Sequence, residues 1–212
     1  MQNEIYILDL VGTFAFAVYG SYFGLKKHFN IFGIIVAAFL TAVGGGSLRE
    51  IILGNIPFYF YDPNYVFTII AGVAFTLLIY NHFHRIKTFV IVIDSIGLVT
   101  FAFIGATKAN QYELGTFGII FLATISAVGG GMMRDITLNK SPEILSFDFY
   151  ASVAVLLGLS FSIFKEHMDN IVIANSLIGL FLIMRLMAVC YKINLCKPCL
   201  SIISPKETAE NK

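Results

Sequence analysis

Ala42-Val43-Gly44-Gly45-Gly46-Ser47-Leu48-Arg49-Glu50 recurs 85 residues later as Ala127-Val128-Gly129-Gly130-Gly131-Met132-Met133-Arg134-Asp135. The same offset holds on both sides of this pair without a gap. Upstream, Asp9, Gly12, Phe16, Ala17 and Gly20 return as Asp94, Gly97, Phe101, Ala102 and Gly105, and Gly33-Ile34-Ile35 returns as Gly118-Ile119-Ile120. Downstream, Ile51, Leu53 and Pro57 return as Ile136, Leu138 and Pro142. Such a fixed period is an internal duplication, and the number of elements per copy decides the fold.

Apolar runs place seven helices near residues 4–25, 31–54, 64–81, 88–108, 115–138, 148–164 and 171–190. Polar clusters separate them: Lys26-Lys27-His28, Asp62-Pro63-Asn64, Asn81 to Lys87, Ser141-Pro142-Glu143 and Lys165 to Asn170. The chain is 58% hydrophobic and 13% charged, against about 45–50% and about 25% in soluble domains. Seven spans of about 20 residues use roughly 140 positions, which leaves no room for a soluble catalytic domain. Each copy of the repeat holds three helices, an odd number, so the second copy enters the membrane from the opposite face. The expected fold is an all-α integral membrane protein with seven transmembrane helices, two inverted three-helix repeats and a seventh helix outside them. Residues 1–85 form the first repeat, 86–168 the second, 169–192 the seventh helix and 193–212 a cytoplasmic tail.

Charge sets the orientation. Lys26, Lys27, Arg85, Lys87, Lys140, Lys192, Lys197, Lys206 and Lys212 fall on one side, and only Lys108 and Lys165 on the other. The positive-inside rule puts the C-terminus in the cytoplasm and the N-terminus outside an inner (plasma) membrane. The first apolar stretch lacks a basic segment before it and reads as a retained helix, not a cleaved signal. A net charge of +1 without a long basic run argues against a nucleic-acid partner.

Three successive glycines cost about 1 kcal/mol each in a helix interior. Two readings follow. In one, each triplet breaks or kinks its helix, Ser47 and Glu50 form a capping box at the restart, and the freed carbonyls at the end of a half-helix become cation ligands. In the other, the glycines let helices pack closely. Buried charges after both triplets favour the first, because intramembrane charges are functional by default. The candidate ion pathway is then Thr41, Gly44, Gly45, Gly46, Ser47 and Glu50 with Ser126, Gly129, Gly130, Gly131 and Asp135. Thr41 and Ser126, equivalent in the repeat, either line it or bond their own helix backbone. Adjacent residues leave a helix about 100° apart, so Glu50 is not the expected partner of Arg49. Depth suggests the charge network Asp9–Arg49 and Asp94–Arg134, leaving Glu50 and Asp135 to face water.

The remaining polar residues are less informative. Lys108 reads as snorkelling, and Arg185 has no acid near it in sequence. His28, His82, His84 and His167 lack ligand spacing, so no metal site is expected. Cys196-Lys197-Pro198-Cys199 has redox spacing without the context for it. No catalytic constellation or cofactor motif is present, and the chain is not expected to be an enzyme. Carbonyl and carboxylate oxygens favour cations, and without a dense acidic cage K+ and Na+ are expected to pass better than divalent ions. Alternating-access transport of a small solute suits the same architecture.

Asp-x-x-Gly-x-x-x-Phe-Ala-x-x-Gly followed by Ala-Val-Gly-Gly-Gly-x-x-Arg-Asp/Glu, both present twice, resembles the prokaryotic TRIC family of trimeric intracellular cation channels. The resemblance covers roughly residues 5–190. It implies a homotrimer in membrane lipid, with a monovalent-cation pore in each protomer bounded by kinked second and fifth helices. It also implies kinks at Gly44–Gly46 and Gly129–Gly131, and family charges at Arg49, Arg134 and Asp135. Glu50 stands where aspartate is usual, and the basic second-helix motif of animal members is not found. Bacterial relatives are also labelled glycine transporters, which makes carriage of a small amino acid such as glycine the alternative.

Inversion predicts that the loop near residues 26–30 is cytoplasmic and that near residues 110–114 external. Single cysteines in each, on a background lacking the native ones, should react with an impermeant thiol reagent from opposite sides. Labelling of both from one side excludes the inverted topology.

Overall fold

The structure, a computed structural model, describes residues 2–83, 87–142, 150–168 and 170–191. Among these, the elements are α1 (Gln2–Lys26), α2 (Ile31–Ile52), α3 (Asn64–Phe83), α4 (Lys87–Gln111), α5 (Thr116–Thr137), α6 (Ala151–Phe164) and α7 (Ile171–Cys190). Two short 3-10 turns, Phe58–Phe60 and Lys165–His167, join them, and the described residues contain no strand. His84, Arg85, Glu143, Lys192, Lys197, Lys206, Lys212 and the Cys196/Cys199 pair lie outside the described residues.

α2 and α5 run unbroken through both glycine triplets, which corrects the expectation of discontinuous spans. The physical reason is the contact made there. A Cβ on Gly45 would collide with the Ser126 carbonyl oxygen, and one on Gly130 with the equivalent Thr41 carbonyl oxygen. A Cβ on Gly129 would lie 3.0 Å from Gly45 Cα, and one on Gly44 3.1 Å from Gly130 Cα. The two backbones therefore cross in direct contact, which only glycine permits. Lipid tails are as apolar as leucine, so close packing of this kind is what holds membrane helices together. It offsets the glycines' poor helix propensity.

Equivalent contacts recur throughout the bundle. Gly20 of α1 sits over Ala37 and Thr41 of α2, as Gly105 of α4 sits over Leu122 and Ser126 of α5. Between α1 and α4, Gly12 meets Phe101 and Gly97 meets Phe16, with the two rings 5.2 Å apart. Later residues of one helix meet earlier residues of its counterpart in both pairs, so α1 runs antiparallel to α4 and α2 to α5. That is the inverted arrangement. Left-handed turns repeat too, at His28 (φ 57°) and Glu113 (φ 54°), and at Gly54 (φ 75°) and Asn139 (φ 51°). Buried Phe16, Leu98, Phe101, Ile104, Ile119, Leu122, Leu157 and Phe161 form the core around these crossings.

The symmetry is incomplete outside the central four helices. α3 leans mainly on α1, with Gly72 against Ala17, whereas α6 leans mainly on α5, with Gly158 against Ile120 and Ala123. α7 shares the surface of α4 with α6, and only 22% of its span is buried. Phe32 and Ile35 on α2, Phe67 and Leu78 on α3, and Val172, Leu180 and Ile183 on α7 are exposed. Water does not tolerate apolar faces of this extent. Among the described residues, five helices, Asn3–Lys26, Ile31–Ile52, Ile91–Gln111, Thr116–Thr137 and Ile171–Cys190, are long and apolar enough to cross a bilayer. The protein is an all-α integral membrane protein.

Gly45→Ala and Gly130→Ala should each destabilise the bundle by at least the roughly 1–3 kcal/mol of core overpacking, because backbone cannot move aside as a side chain can. Gly179→Ala, where nothing lies within 4 Å of the added carbon, should be tolerated. Thermal melting of the three purified variants in detergent checks the contrast.

Candidate functional site

One turn beyond the crossing, α2 presents Arg49 and Glu50, and α5 presents Arg134 and Asp135. Both arginines are fully buried, at 1% exposure. Arg49 donates from Nε to Glu50 Oε1 at 2.9 Å, and its Nη2 lies 2.9 Å from the same oxygen. Arg134 donates from Nε and Nη2 to Asp135 Oδ1 at 2.9 and 2.7 Å. Helix geometry argues against pairing between these adjacent residues, yet they pair. The arginine stem is long enough to fold back across the angle between adjacent residues, and a buried charge left unpaired costs more than the bend. Glu50 and Asp135 are correspondingly buried and do not face water.

The expected pairing of Asp9 with Arg49 is not found, since no ion pair joins them. In the second repeat, Asp94 has Arg185 of α7 beside it, with Nη2 4.0 Å from Asp94 Oδ2. The signal for this partnership lay in the sequence. A charge inside an apolar span requires a counter-charge, and Arg185 and Asp94 are two such charges of opposite sign. Two further residues were missed: Tyr65 donates to Asp9 Oδ2 at 2.9 Å, and Tyr150 donates to Asp94 Oδ1 at 3.1 Å. They are 85 residues apart, so the duplication itself could have flagged them.

Aromatic rings line both clusters. The Arg49 guanidinium lies 5.8 Å from the Phe58 ring centre, and that of Arg134 lies 4.5 Å from Tyr19 and 4.9 Å from Phe23. Such cation–π contacts stabilise a desolvated cation by about 2 kcal/mol. The helix C-terminal turns bring in unlike groups at equivalent places. Asn55 N donates to the Glu50 carbonyl oxygen, and Lys140 N to that of Asp135. The Asn55 amide donates to Glu50 Oε2 at 2.9 Å and to Tyr112 Oη at 2.6 Å. The Lys140 ammonium sits 4.1 Å from the centre of Phe23.

The remaining candidates sit at the crossing. Thr41 donates to its own helix at the Ala37 carbonyl oxygen, 2.6 Å away, whereas Ser126 Oγ has no hydrogen-bond partner. Both are buried. Ser47 donates to the Val43 carbonyl oxygen at 2.7 Å within an unbroken helix, so it is not the N-cap that its spacing from Glu50 suggested. No cluster of three metal-binding side chains occurs among the described residues.

A family model described as Glycine transporter matches residues 6–81 and again residues 91–166, an offset of 91 − 6 = 85 that reproduces the repeat. A solved prokaryotic TRIC channel is 28% identical, with a TM-score of 0.85, covering 92% of this chain and 100% of that one. The chain belongs to the prokaryotic TRIC family. A TRIC trimeric intracellular cation channel orthologue from Rhodobacter sphaeroides is 27% identical, with a TM-score of 0.82, over 89% of this chain and 98% of that one. A Deinococcus radiodurans relative, named UPF0126 membrane protein, is 36% identical over 146 residues, 68% of each chain.

In this TRIC-family chain the arginine–acid neighbours act as one electrostatic unit. Arg49→Ala should cost about 3–5 kcal/mol, because Glu50 is left buried and uncompensated, and Arg49→Met with Glu50→Met should recover most of the loss. Circular dichroism melting reads this, since the chain has no tryptophan. A double variant as unstable as Arg49→Ala rejects the unit.

Proposed function

We propose that the chain is a monovalent cation channel of the plasma membrane, a homotrimer with a K+ and Na+ pathway in each protomer beside the α2–α5 crossing. The observation that carries this reading is the likeness to solved TRIC cation channels over about nine-tenths of the chain. The pathway has the Arg49–Glu50 cluster towards the outside and the Arg134–Asp135 cluster towards the cytoplasm. Thr41, Ser47, Ser126 and the two glycine triplets border its narrowest part. Passage of an ion beside Thr41 and Ser126 requires α1 to part from α2, and α4 from α5, because Gly20 and Gly105 pack directly over those two residues. Neutral arginine–acid units remove the anion preference that bare guanidinium groups would impose, and the remaining oxygens favour cations.

The family description supports a second reading, carriage of a small amino acid such as glycine by alternating access. Electrical recording from purified protein in planar bilayers separates the two. Unitary picoampere steps that reverse near the potassium potential under a KCl gradient are expected of the channel. Reversal near the chloride potential rejects cation selectivity. Glycine flux into proteoliposomes without unitary currents favours the carrier.

A further inference from the structure

The repeat supplies an internal comparison at the two buried Asp–Tyr pairs. Beside Asp94, the Tyr150 hydroxyl takes one carboxylate oxygen and Arg185 of α7 stands 4.0 Å from the other. Beside Asp9, the Tyr65 hydroxyl takes Oδ2, while Oδ1 has no hydrogen-bond partner. Among the described residues, α7 has no counterpart on this side of the bundle. Asp9 is only 7% exposed. Thr13, one turn further along the same face of α1, is wholly buried, and its Oγ1 also lacks a partner. Two buried oxygens without partners, one helical turn apart on α1, are costly in a protein interior.

The charged groups acting on Asp9 are Arg49, Glu50 and Lys108. Arg49 is bonded to Glu50 through Nε and Nη2, while its Nη1 has no hydrogen-bond partner and, of the three, its charge acts most strongly on Asp9. Lys108 is partly exposed in the last turn of α4. Neither makes an ion pair with Asp9. A polar line leads to it from the α2–α3 loop: Tyr6 donates to Asp62 Oδ2 at 2.6 Å and accepts from Asn64 at 2.8 Å, and its ring stands edge-on to Tyr65, 6.1 Å away.

We infer that Asp9 and Thr13, between α1 and α3, bind one monovalent cation through Asp9 Oδ1 and Thr13 Oγ1. This cation takes the place that the Arg185 guanidinium fills beside Asp94. One carboxylate among neutral oxygens suits a singly charged ion, whereas calcium takes six to eight oxygens with several carboxylates among them. The site lies off the glycine crossing, and its existence is independent of whether the protein conducts or carries.

The test uses thallium(I), an electron-rich monovalent ion, in place of potassium in crystals of the full chain. Bilayer currents play no part in the readout. Wild-type protein should show an anomalous peak in coordination contact with Asp9 and none at Asp94. Asp9→Asn should lose the peak and weaken thallium binding in equilibrium dialysis at least tenfold. Arg185→Gln should gain a second peak beside Asp94. Absence of the wild-type peak overturns the inference, and an Asp9 carboxyl that carries a proton gives that result. Persistence of the peak in Asp9→Asn overturns it equally. Should Arg185→Gln fail to fold, the wild type and Asp9→Asn decide the matter.

Discussion

The backbone contact between α2 and α5 at Gly45 and Gly130 is the constraint from which the other packing follows. Each glycine leaves room for a carbonyl of the opposite helix, Ser126 for Gly45 and Thr41 for Gly130. Those two carbonyls belong to residues that also receive Gly20 of α1 and Gly105 of α4. One close crossing thus fixes four helices at once, and any side chain introduced there pushes on all of them. With a rise of about 1.5 Å per residue, Arg49 lies about 6 Å along α2 from the crossing, and Arg134 the same distance along α5. Because the helices are antiparallel, the two charge clusters stand on opposite sides of the crossing.

Burial of such charges is sustainable only because each cluster is locally neutral. Each arginine is bonded to the acid that follows it on its own helix. Aromatic rings at Phe58, Tyr19 and Phe23 supply further stabilisation of the cations without adding charge.

Much of the architecture was legible in the sequence because a membrane fold has few choices. Apolar run lengths gave the helices, and the offset between Asp9 and Asp94 or between Gly45 and Gly130 gave the inversion. The glycine triplets misled for a definite reason. Helix propensity describes an isolated helix, while Gly45 and Gly130 answer to a neighbouring backbone that no local rule contains. Ser47 misled likewise: its spacing to Glu50 fits a capping box only if the helix starts there, and α2 does not. The Asp9–Arg49 pairing failed because it rested on depth alone, and Arg49 reaches Glu50 by bending its stem. Arg185 was noticed as a buried charge, but its partner lies on α4, three helices away in sequence.

The departures from symmetry carry more functional information than the symmetry itself. Duplication would give two equivalent halves and no distinction between the two faces of the membrane. Yet Glu50 is tied to an asparagine where Asp135 has Lys140 at the equivalent place, and Phe23 occupies the position that Lys108 holds in the other copy. α7 then adds Arg185 to one buried carboxylate and leaves the other to α1 and α3. Each of these differences shifts the electrostatics of one half relative to the other while the glycine crossing between them stays common to both. The two ends of the bundle therefore present the same scaffold dressed with different charges, so the halves of a protein built from a repeat are no longer electrostatically equivalent.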